Sequence, residues 1–96
     1  MPLFVVQHKH AAETCPAGNP EMGPMLLKHL AHENAAKTGV SILSDAVVDG
    51  KHTFVLIVDA GDETRVKEFM APFAQMGSVE ISPASSCEQV VARGRC

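Results

Sequence analysis

The chain has 96 residues with 46% hydrophobic content, enough for one small domain with a single core. A formal net charge of -3, with the few Lys and Arg residues scattered along the chain, leaves no basic surface for nucleic acid. The opening MPLFVVQHKH has no basic leader and too short an apolar run to span a bilayer, so a cytoplasmic protein with no membrane partner is expected.

Residues 3 to 10 begin with a β-branched and aromatic run that predicts a strand. Phe4, Val6, His8 and His10 share one face of it, and Leu3, Val5, Gln7 and Lys9 the other. Ala11 to Pro20 contains Pro16, Gly18, Asn19 and Pro20 and reads as a long loop, the kind of segment that often carries function. A helix follows, opening at Asn19-Pro20 or at Gly23-Pro24 and ending at Gly39, with Leu26, Leu27, Leu30, Ala31 and Asn34 on one face.

Val40 to Val48 and His52 to Asp59 then form two antiparallel strands, joined by Asp49-Gly50 as the central pair of a type I′ turn. Asp62 caps a second helix whose buried stripe is Val66, Phe69, Met70 and Phe73. Pro72 should kink that helix or end it early, and Gly77 closes it. Ser78 to Ser82 makes a fourth strand, which Pro83 interrupts. In the tail, Ala84 to Cys96, the run Val90-Val91-Ala92 suits a short strand or a turn of helix equally well.

The order βαββαβ over one domain, residues 1–96, predicts an α+β ferredoxin-like fold: a four-stranded antiparallel sheet with two helices on one face. The first and third strands are then central. Phe54, Leu56 and Val58 alternate with Val55 and Ile57, so both faces of the third strand are apolar and something must cover the helix-free side. In this the chain resembles the dimeric α+β barrel superfamily, small ferredoxin-like domains that pair sheet to sheet and include monooxygenases, isomerases and stress-response proteins. The resemblance implies a homodimer. The chain is also similar, in fold and in richness of His and Cys, to small ferredoxin-like proteins that bind nickel.

Candidate chemistry gathers at the end of the first strand. His8 and His10 project from one face about 7 Å apart, and Cys15 lies in the loop that leaves them. Two imidazoles and a thiol are ligands for zinc, nickel or copper. Cys87, Cys96 or a residue of a second subunit could supply a fourth. Three cysteines are an odd number, and with no export signal free thiols or metal ligands are expected rather than bridges.

His29 and His32 are neighbours at i, i+3 and are expected to be a solvated pair on the helix surface; His52 is expected to be a surface residue beside its turn. Met70 and Met76 fit core positions, whereas Met22 and Met25 flank Gly23-Pro24 where they could line a pocket. No CxxC, HExxH, phosphate-loop or nucleophile-elbow pattern occurs. The leading expectation is a small metal-binding protein for metal handling or sensing, through His8, His10 and Cys15 with Cys87 or Cys96. One alternative is a small dimeric α+β barrel enzyme acting on a small organic substrate in a pocket between the sheet and the helices, with His8 or His10 as general base and Cys15 as nucleophile or proton donor. A second is a thiol carrier or redox-responsive module using Cys96 with Cys15 or Cys87.

Overall fold

The computed structural model describes residues 2–96. Its four strands, β1 (Leu3–His10), β2 (Val40–Val48), β3 (Thr53–Ala60) and β4 (Gly77–Ala84), form one antiparallel sheet of order β2-β3-β1-β4. This is the ferredoxin-like arrangement expected from the element order, with β1 and β3 central. The helices are α1 (Met22–Leu30), α2 (His32–Ala36), α3 (Glu63–Ala74) and α4 (Cys87–Arg93). Among the described residues no helix is long and apolar enough to cross a membrane.

The core lies between one sheet face and the helices. Phe4, Val6, Leu56 and Val58 come from the central strands, and Val66, Phe69, Met70 and Phe73 form the predicted stripe of α3; all are buried. Leu26 and Leu30 of α1 pack against this cluster, but Leu27 is 72% exposed and points away from it. Burying side chains of this size contributes about 1.5–3 kcal/mol each, which makes this cluster the main source of stability.

Local chemistry explains where the elements begin and end. Asn19 Oδ1 accepts the Glu21 and Met22 N–H groups at 2.8 and 3.0 Å, satisfying donors at the start of α1. The expected single helix is split at Ala31, whose backbone is extended (φ -59°, ψ 141°). Asn34 accounts for the break: its side-chain amide donates to the His29 carbonyl at 2.7 Å, capping α1 from outside, while α2 starts afresh on the Ala31 carbonyl. Asp62 caps α3 as predicted, accepting the Arg65 N–H at 3.1 Å. Pro72 does not end α3, which runs on to Ala74.

The β2–β3 connection departs from the type I′ expectation. That turn needs positive φ at both central residues, yet here Gly50 (φ 72°) and His52 (φ 48°) adopt it and Asp49 does not. The loop therefore spans Asp49 to His52, closed by the Lys51 N–H on the Val48 carbonyl at 3.1 Å. β4 also extends past Pro83 to Ala84. Pro83 is tolerated because β4 is an edge strand, hydrogen-bonded only to β1. The tail resolves to a helix. Ser86 and Gln89 form a reciprocal capping box and Gly94 ends α4 in the left-handed conformation.

Candidate metal centre and adjoining cavity

Sheet register assembles the site. β1 and β3 run antiparallel with Lys9 opposite Thr53, so the next residues, His10 and His52, meet at the sheet end. The His10 N–H donates to the His52 carbonyl at 3.2 Å, and the two rings stand edge to face with centroids 5.2 Å apart. On the other side of β1, Gly77 lies opposite His10, and a Cβ there would collide with the Lys9 carbonyl. Glycine permits this close approach of β4.

Cys15 arrives from the loop. The segment folds into two 3-10 turns, Ala12–Thr14 and Pro16–Gly18, that meet at Cys15, whose N–H donates to the Ala12 carbonyl at 3.3 Å. Cys15 is thereby turned back over the strand end. One ligand atom each from His10, Cys15 and His52 lies within 4.8 Å of the other two. Donor atoms around a tetrahedral zinc ion sit about 3.3–3.6 Å apart, given bond lengths near 2.0 and 2.3 Å. Small side-chain movements suffice to close the group on an ion.

Burial sets the protonation of the imidazoles. His8 is 4% exposed, its ring 5.5 Å from that of His10 and edge-on to Phe73 at 5.3 Å. Its Nδ1–H donates to the Ser78 carbonyl at 3.0 Å, which leaves the Nε2 lone pair free. Desolvation lowers the His8 pKa below the ordinary 6.5, against the smaller raising effect of that hydrogen bond. The His10 pKa is lowered first by desolvation, then by the like charges of His8 and His52. Both are therefore neutral near pH 7, the form that ligates metals. Both ring nitrogens of His10 are buried without a hydrogen-bond partner. Leaving such a group unsatisfied costs about 1–3 kcal/mol, so His10 is the most under-satisfied histidine at the site.

The other predicted residues fall as follows. His8 adjoins the group without joining it. β4 runs from Gly77, beside His10, to Ala84, beside Leu3, and so carries Cys87 and the tail towards the far end of β1. Cys87 and Cys96 are exposed and free. Among the described residues, the His10, Cys15 and His52 cluster has no fourth protein ligand. His29 differs from the surface expectation. Its Nε2–H donates to the Phe69 carbonyl at 2.9 Å, Asn34 approaches Nδ1 at 3.3 Å, and its ring stacks on Phe69. It is a satisfied structural residue, whereas His32 is exposed on α2.

The member that sequence reading missed is His52. Matching the core faces of the two apolar strands leaves registers two residues apart equally allowed, and the observed pairing, with Lys9 opposite Thr53, is what sets His52 against His10.

A cavity of about 520 Å³ opens beside the cluster. His8, His10, Cys15, His29 and His52 line it together with apolar side chains from the loop, α1, β2, β3 and the end of α3. Met22 and Met25 are among them, as their place beside the loop suggested; Met76 also lines the cavity and is 36% exposed rather than buried.

Fold and cluster together define a small ferredoxin-like α+β protein with a His/Cys group able to hold a metal ion. The chain belongs to the family described as Domain of unknown function (DUF3303), which matches residues 3–95. No curated protein matches it.

Proposed function

We propose that the protein binds a transition metal ion through His10, Cys15 and His52, in metal handling or sensing. The observation that carries this reading is the convergence of three ligand atoms within 4.8 Å from three separate segments: β1, the following loop and the β2–β3 turn. Mixed nitrogen and sulfur ligation suits zinc, nickel or copper. Three protein ligands leave one coordination position for solvent, a small molecule or a second subunit. The test is metal titration of the chelator-treated protein beside His10→Ala, Cys15→Ser and His52→Ala variants. One equivalent of zinc, nickel or copper should bind, at least tenfold more weakly in each variant; absence of stoichiometric binding to the unaltered protein would overturn the proposal.

The enzyme reading has one observation in its favour. The Nδ1–H bond from His8 to Ser78 fixes the tautomer so that Nε2 is a base in a residue that lines the cavity.

A homodimer through the helix-free sheet face is a further part of the proposal. Val5, Val55 and Ile57 lie on that face, with Ile57 39% exposed. Helix α4 is well capped, yet contributes no buried residue. The radius of gyration, 14.1 Å, exceeds the roughly 12.5 Å of a compact chain of this length. An elongated protomer with an apolar sheet face is suited to pairing with a second copy.

A further inference from the structure

The cavity next to the histidines has a chemistry of its own. Its volume of about 520 Å³ falls within the range of small-molecule sites, roughly 300–1,000 Å³. Phe54 and Phe73 form its buried wall, with Leu26 half-buried beside them. Met25 (68% exposed) and Val47 (59% exposed) stand at its mouth, apolar side chains placed where solvent would favour polar ones. No Lys or Arg is found among the described residues that line it, and Asp49 is their only carboxylate. An anionic guest would find no cation there.

The polar end of the cavity is unsatisfied. A neutral imidazole carries one N–H and one lone pair, and both ring nitrogens of His10 are buried without partners. An occupant that satisfies the N–H of this ring must bring a lone pair to His10 and hydrocarbon to the rest of the cavity.

We infer that the cavity binds a neutral, largely apolar organic molecule that presents a single lone-pair-bearing nitrogen, oxygen or sulfur atom to the histidine cluster. In the metal-free protein that lone pair accepts the His10 N–H. In the metal-loaded protein the same atom can fill the position left open by the three protein ligands. The inference goes beyond metal binding and stands without it, because size, charge and the unpartnered imidazole are properties of the polypeptide.

Calorimetric titration of EDTA-treated protein at pH 8 with 4-phenylimidazole, imidazole and 3-phenylpropanoate tests it apart from any metal. 4-Phenylimidazole should bind with one-to-one stoichiometry and at least tenfold tighter than either of the others. Val47→Lys, at the exposed rim, should weaken it at least fivefold without changing the thermal midpoint; Met25→Lys gives the same reading at a second position if the first variant folds poorly. Equal affinity for 4-phenylimidazole and imidazole would remove the apolar subsite, and equal affinity for 3-phenylpropanoate would remove the selection for a neutral guest. Either result, or unchanged binding in both rim variants, overturns the inference.

Discussion

His52 faces His10 edge to ring at 5.2 Å from a backbone conformation that histidine seldom adopts, φ 48°. A non-glycine residue in the left-handed region costs about 1–2 kcal/mol, and among the described residues His52 is the only one of its kind outside glycine. The strained backbone falls at the residue that completes the three-ligand group.

His52→Gly should therefore separate the two. Relief of the strained φ, partly offset by the added freedom of the unfolded chain, should raise the stability of metal-free protein by about 0.5–1 kcal/mol. Metal affinity should fall at least tenfold. Urea denaturation and metal titration of the same preparation check both halves; a variant that loses stability would show that the His52 ring contacts outweigh the backbone strain.

Gly77→Ala should damage the fold and the site together. Its methyl group would meet the Lys9 carbonyl, and Gly77 lies opposite His10. Pushing β4 from β1 should cost about 2 kcal/mol or more by overpacking and displace the His10 ring. Gly61→Ala is the control in urea denaturation, because its Cβ would approach only the Arg65 Nε at 4.0 Å, its φ lies outside the left-handed region, and it follows the end of β3 away from His52.

Acid should weaken the metal-free protein through His8 and His10. Both have pKa values lowered below 6.5 by burial. Above pH 6.5 these groups are neutral in folded and unfolded chains alike, and stability is independent of them. As pH falls below 6.5 the unfolded chain takes up protons first, so stability declines until pH passes the lower folded values. Urea midpoints of EDTA-treated protein should accordingly rise from pH 5 to pH 7, with a shallower slope in His8→Gln. A midpoint that falls over that interval would contradict the assignment of neutral buried imidazoles.

Ile57→Lys tests the pairing of helix-free sheet faces. The residue is 39% exposed in one protomer, so the change should cost the isolated fold little while placing two like charges into a dimer interface. Sedimentation equilibrium should find the unaltered protein dimeric and the variant shifted to monomer. A monomeric unaltered protein would contradict the proposal.

Much of this architecture was legible in local signals. The alternation of Phe4, Val6 and His8, the i, i+3, i+4, i+7 stripe from Val66 to Phe73 and the Asp62 cap each specify an element without help from the rest of the chain. The split at Ala31 was not legible, because it depends on Asn34 reaching the His29 carbonyl and on His29 being held by Phe69, residues brought together only by packing. Ser86 and Gln89 show the opposite case: their spacing is a helix-start signature, and it resolves the tail that Val90-Val91-Ala92 left open. At the site, His10 and Cys15 were visible because they are near in sequence. His52 was not, because proximity across strands depends on register, and the turn that aims it is not the one Asp49-Gly50 suggests.

The central claim is most directly tested by X-ray absorption at the metal edge of protein loaded with one equivalent of zinc. Ligation by His10, Cys15 and His52 predicts a sulfur shell of one atom near 2.3 Å and nitrogen scatterers at about 2.0–2.1 Å with imidazole outer-shell features, the sulfur shell vanishing in Cys15→Ser. A spectrum with oxygen and nitrogen neighbours alone in the unaltered protein, or a sulfur shell that survives Cys15→Ser, would contradict it.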